Sequence, residues 1–149
     1  MDAQSQLDEF IDRYTWEVAA DAREALSFMR ARLPTAFRLV YDNYNALVIG
    51  FASGEKASDA FLSIALYPQY ARLFFLRGVD LADPYHLLEG DGAQVRSIKL
   101  KPASRIKARE VCALIDAAVA NTWPLPESGD GPLIIKSISA KQRPRRPNA

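Results

Sequence analysis

Phe37-Arg38-Leu39-Val40-Tyr41-Asp42-Asn43-Tyr44-Asn45-Ala46-Leu47-Val48-Ile49-Gly50-Phe51-Ala52 is the stretch that decides the fold. Upstream of Pro34 the apolar residues recur at spacings of three and four. Here the period drops to two, with Phe37, Leu39 and Tyr41 alternating against Arg38, Val40 and Asp42, which predicts a strand over residues 36–42. Asp42-Asn43-Tyr44-Asn45 carries turn chemistry, because short amide and carboxylate side chains bond their own backbone. The apolar run of residues 46–52 then suits a central strand. Together they predict a hairpin.

Further strands follow from the same pattern near 59–67, 71–77 and 95–101, with corners at Ser53-Gly54-Glu55-Lys56 and Pro68-Gln69. The connections between the first four strands are too short for parallel crossovers, so the sheet is predicted to be an antiparallel meander. Leu133-Ile134-Ile135 offers a sixth, edge strand at 133–138. Helices bracket the sheet. Leu7, Phe10, Ile11 and Tyr14 form one apolar stripe; Thr15 is placed to cap a second helix over 15–33, which Pro34 stops; Ser104 is placed to cap a third over 104–121. The predicted class is α+β, with N-terminal and C-terminal helices packed on one face of five or six strands. Residues 1–123 form the domain and 124–149 an extension ending in a basic, disordered tail.

The chain has 149 residues, of which 49% are hydrophobic and 25% charged, proportions of a globular domain with one core. No run approaches the roughly 20 apolar residues of a membrane span, and Met1-Asp2-Ala3-Gln4 does not start a signal peptide, so a cytoplasmic protein without membrane contact is expected. Cys112 is the only cysteine and His86 the only histidine. That excludes an internal disulfide, thiolate clusters and paired-histidine metal sites, and it leaves a triad only His86 with Ser63 or Cys112, without a nucleophile elbow. Net charge is +1, but residues 1–123 hold 14 Lys+Arg against 16 Asp+Glu while residues 124–149 hold 5 against 2.

Three places carry chemistry worth following. The glycine-rich segment 78–92 and its flanks assemble Arg77, Asp83, Glu89, Asp91 and Arg96; this set can bind a small anion through its arginines or close the loop with ion pairs. It has no phosphate-loop or dinucleotide fingerprint. The acidic faces of the first two helices, with Asp8, Asp12, Asp21 and Glu24 as candidate ligands, offer oxygen donors for a hard cation or a solvated charged face. The tail from Lys136 to Arg146 can meet nucleic acid or an acidic protein partner, although no aromatics are interleaved with its basic residues.

Leu73-Phe74-Phe75-Leu76-Arg77-Gly78, Leu81, Asp83-Pro84, Leu87-Leu88-Glu89-Gly90, Gly92 and Val95-Arg96-Ser97-Ile98-Lys99-Leu100 give the order F-x-R-G, L-x-D-P, L-x-G-x-G, R-x-I-K-L. In that order, and across roughly residues 7 to 120, the chain resembles the YdhG-like family of bacterial domains of unknown function. Ala93 and Ser97 stand where many members carry lysine and histidine. The resemblance implies a helix, antiparallel sheet, helix arrangement similar to frataxin and, for one branch, a proposed role as an iron chaperone. The functional expectation is therefore a non-enzymatic binding domain for iron or a small ligand. The alternatives are an interaction module acting through the basic tail and an enzyme on a small anionic substrate.

Overall fold

The structure, a computed structural model, describes residues 1–147. It has three α-helices, α1 (Ala3–Asp12), α2 (Trp16–Arg32) and α3 (Arg109–Ala120), and six strands, β1 (Phe37–Asp42), β2 (Leu47–Ala52), β3 (Ala60–Leu66), β4 (Ala71–Phe75), β5 (Arg96–Leu100) and β6 (Leu133–Ile138). The strand order is β5-β4-β3-β2-β1-β6. β1 to β5 form the predicted antiparallel meander, and β6 joins the far edge parallel to β1. The class is α+β. No helix among the described residues is long and apolar enough to cross a membrane.

Alternation of side chains sorts the sheet into two faces. Val40, Ile49, Ile64, Leu73 and Ile98 are cross-strand neighbours in one row, and all are buried. They share a single core with Phe10 and Ile11 of α1, Val18, Ala22, Ala25 and Met29 of α2, and Val111, Leu114 and Ile115 of α3. The alanines of α2 let its backbone approach the sheet closely. Truncating a fully buried member of the row, such as Ile64, would cost about 2–5 kcal/mol.

The helix termini show which local signals act. Thr15 caps α2, its hydroxyl accepting from Val18 N at 3.3 Å. Asp2 does the same for α1, accepting from Ser5 N at 2.8 Å, so that helix starts earlier than its apolar stripe. The last helix differs from expectation. Residues Ala103–Lys107 form a short 3-10 turn and α3 begins only at Arg109. The buried side chain is the reason: the turn places Ile106, fully buried, against α2, and a continuous helix from Ser104 could not also aim Val111 and Leu114 at the sheet.

Tyr14 ties the first helix region to the sheet. Its hydroxyl donates to Leu66 O at 3.0 Å and accepts from Leu47 N at 3.1 Å, bridging the end of the β2–β3 ladder.

The tail is a second correction. Residues 139–146 do not trail away; they fold back across the β1–β2 turn. Ser139 N donates to Asp42 O at 2.8 Å and Arg143 N to Tyr44 O at 2.9 Å. The Arg145 guanidinium, 6% exposed, lies on the Asp42 carboxylate, 1% exposed, with Nη2–Oδ1 at 2.9 Å. Arg13 takes the other carboxylate oxygen at 3.2 Å. Composition marks a segment rich in arginine and proline as solvated, but one buried carboxylate at the end of β1 gives it a docking point. Asn148 and Ala149, the end of the expected disordered tail, lie outside the described residues.

Candidate functional site

Of the loop set Arg77, Asp83, Glu89 and Arg96, three side chains are engaged in holding the loop itself. Asp83 accepts from Leu87 N and Leu88 N, both at 2.9 Å, an Asx-type staple. Arg96 Nη1 donates to Gly92 O at 2.6 Å and Val95 O at 2.8 Å. Glu89 pairs through its backbone with Ser97, extending the outer edge of β5, and its carboxylate accepts from Arg72 Nη1 at 2.9 Å. That hydrogen bond is the chief reason the Glu89 carboxyl sits below its ordinary pKa. His86 is exposed on the same loop with φ +54°.

The helix carboxylates are likewise dispersed. Asp12 pairs with Arg23 at 2.8 Å, Glu24 with Lys107 at 3.4 Å, and Asp8 accepts from the Gln4 amide at 3.1 Å. Asp21 is not gathered with them. Among the described residues, no three His, Cys, Asp or Glu side chains stand close enough to share a cation.

Arg77 is the exception, because it lines a cleft of about 460 Å³. The floor of this cleft comes from three elements. Phe75 is the last residue of β4, Ala118 lies on α3, and Phe61 enters from a bulge: Phe51 pairs with Leu62 and Ala52 with Ala60, leaving Phe61 as the extra residue of β3. A bulge re-aims a side chain that regular alternation would direct elsewhere, and bulges recur beside binding sites. Leu81 adds to the apolar patch, and Trp123, 76% exposed, also lines the cleft.

The polar part of the lining carries both signs of charge. Arg77 is 72% exposed and pairs with Asp80 at 3.4 Å. Asp59 accepts from Lys56 N at 3.1 Å, one of the roughly four acceptor positions of a carboxylate. Asn121 and Thr122 sit where α3 ends, the negative pole of its macrodipole. Gly78 makes the arrangement possible. Its Cα passes so close to Arg96 that a Cβ there would lie 2.5 Å from Arg96 Cβ, and this approach lets the chain turn directly after Arg77.

Sequence reading found Arg77 and missed Phe61, Asp59, Asn121 and Trp123. Phe61 reads as one more alternating strand residue, and a bulge has no marker in this segment. Trp123 followed by Pro124 is legible as a helix end, and only the folded structure shows that it lines a cleft. His and Cys are absent from the cleft lining. No protein-family model, no curated protein and no solved structure matches this chain.

Proposed function

We propose that this chain is a non-enzymatic binding domain of YdhG-like type whose ligand occupies the Arg77–Trp123 cleft. The observation that supports this reading is the cleft's composition: an apolar, aromatic lining that also holds one guanidinium, Arg77, and one carboxylate, Asp59. Its volume falls within the range of small-molecule sites, roughly 300–1,000 Å³. The chemistry that fits is a small ampholyte. Its apolar body would pack on Phe61 and Phe75, its anionic group would meet Arg77, and its donor group would meet Asp59 and the carbonyl end of α3. Binding rather than turnover is favoured because the lining holds one carboxylate and no histidine or cysteine, so no acid–base pair or activated nucleophile stands over the floor.

Three probes separate the contributions: phenylalanine, with both charges, 3-phenylpropionate, with the anion alone, and phenethylamine, with the ammonium alone. Trp123 fluorescence, read in a Trp16→Phe background, and thermal shift report occupancy. Phenylalanine is expected to bind best. Arg77→Ala should abolish its advantage over phenethylamine, and Asp59→Asn its advantage over phenylpropionate. If none of the three perturbs Trp123 or raises Tm at about 100 times a millimolar Kd, where about 2.7 kcal/mol of stabilisation is due, the reading fails.

A further inference from the structure

At the opposite end of the sheet the docked tail builds a second and larger cleft, about 730 Å³, between the β3–β4 turn and residues Arg143 to Pro147. The turn is closed by Tyr67 N donating to Tyr70 O at 2.9 Å, which fixes both tyrosines at its corners. Their ring centroids are 5.4 Å apart with planes tilted by 40°, and both side chains are half-buried, so part of each ring faces the cleft. Proline lines both walls, Pro68 on the turn and Pro144 on the tail, restricting backbone motion.

The charges around these rings are mostly positive. Arg143 and Arg146 form the tail wall. Lys99 Nζ stands 4.6 Å from the Tyr70 centroid, with the Arg72 guanidinium at 5.5 Å. Lys101 Nζ reaches Gln69 O at 3.4 Å, beside the turn. Aspartate and glutamate are absent from the cleft lining. Of the carboxylates near it, Asp42 is buried under Arg145, and Glu89 pairs with Arg72 at 2.9 Å and also feels the charge of Lys99. The tail itself carries no aromatic residue; the fold supplies the rings from a turn some 75 positions earlier in the chain.

From this geometry we infer that the tyrosine–arginine cleft is a binding site for single-stranded nucleic acid, with bases stacked on Tyr67 and Tyr70 and phosphates held by Arg143, Arg146, Lys99 and Lys101. A polyanion without rings would use the cations alone, and a duplex keeps its bases stacked on one another. A single strand satisfies both features, because every base has a π-face and every link a negative charge. The site is distinct from the Arg77 cleft and does not depend on it.

Fluorescence anisotropy with labelled octamers of uridine and of thymidine, titrated with the full chain, tests the inference. If about three phosphates are neutralised, affinity falls about 10- to 20-fold between about 50 and 200 mM salt. Tyr70→Ala and Tyr67→Ala should each weaken binding at least about fivefold while Tyr70→Phe retains it. Arg143→Ala with Arg146→Ala should flatten the salt dependence, and Arg77→Ala should leave binding unchanged. Far-ultraviolet circular dichroism establishes that each variant is folded. Absence of binding at the lower salt overturns the inference. So does equal affinity for a duplex or for heparin that persists in Tyr70→Ala, which would mark a polyelectrolyte surface only, and so does preference for an acidic peptide over both octamers.

Discussion

Removing the Asp42 carboxylate is expected to release the last segment of the chain without unfolding the sheet. Asp42 faces two guanidinium groups, Arg145 at 2.9 Å and Arg13 at 3.2 Å, but the two contacts differ in kind. Arg13 is half exposed, and an exposed pair contributes between nothing and about 1 kcal/mol. Arg145 and Asp42 are desolvated by one another, and breaking such a pair in a rigid interior costs about 3–5 kcal/mol, since one charge stays buried alone. This interior is not rigid. Residues 139–146 are held by bonds to Asp42, Asn43, Tyr44, Asp12 and Arg13 that are not themselves ladder hydrogen bonds of the meander, so the segment can lift off and return Arg145 to water. The loss is then capped by the docking free energy of the segment, and a charge-assisted hydrogen bond of about 1.5–3 kcal/mol sets its scale. Asp42→Ala and Arg145→Ala are each expected to cost about 2–3 kcal/mol in urea unfolding, about 4 to 10 °C in Tm for a domain of this size. Deletion of residues 142–149 should cost the same, and the double variant should be no worse than either single one, a coupling of about 2 kcal/mol. Additive single losses, or a loss below about 0.5 kcal/mol for Arg145→Ala, would refute the reasoning.

Gly78→Ala is expected to cost about 1–3 kcal/mol by forcing a Cβ against Arg96, and to shift the amide resonances of Arg77 and Trp123 together; unchanged spectra would mean the turn does not position Arg77. Tyr14→Phe strands the Leu66 carbonyl and the Leu47 N–H it bridges, costing about 1–3 kcal/mol. Burial raises the Tyr14 hydroxyl above its ordinary value of 10.0. The unfolded chain therefore ionises first, and the group's contribution, complete below about pH 10, is lost as pH rises through the folded value. Wild-type stability should fall more steeply than that of Tyr14→Phe above pH 10, and parallel curves in alkaline unfolding would contradict this. Glu89 has the opposite sign. Its carboxyl is lowered from 4.5, chiefly by the Arg72 hydrogen bond, so its attachment is complete above about pH 4.5 and is lost as pH falls through the lower folded value. Amide exchange at Glu89 and Ser97, whose backbones pair, should accelerate there before the β3 amides do, and Glu89→Gln should show the same acceleration at neutral pH.

The meander was legible because its signals are local. Each strand from Phe37 to Leu100 alternates or runs apolar, and each of the three connections between the first four strands is too short for a parallel crossover. Leu133–Ile138 was legible as a strand; its parallel alignment with β1 was not, since the segment returns across the whole domain and no local pattern encodes that direction. The 3-10 turn before α3 escaped because Ser104 offers a helix cap and no local residue marks the break before Arg109. The site was less visible than the fold. Asp83, Glu89 and Arg96 attract notice as charges in or beside a glycine-rich segment; Asp83 and Arg96 bond backbone groups and the Glu89 carboxylate bonds Arg72, partners that a sequence does not display. Asp42 reads as a turn residue and is in fact the anchor of the tail. Tyr67 and Tyr70 read as a strand end and a corner, and they acquire meaning only when Arg143 and Pro144 arrive beside them.

Placing β6 and its docked tail on β1 also has a consequence for synthesis. Arg145 meets Asp42 across 103 positions and Arg146 meets Arg13 across 133, so the meander emerges from the ribosome well before the segment that covers its flank. Until then β1, with Leu39 and Val40 at its middle, is an open edge, the kind of surface on which chains pair with one another. The nascent protein must spend that interval with an unguarded strand, until residues 133–138 pair with it and close it.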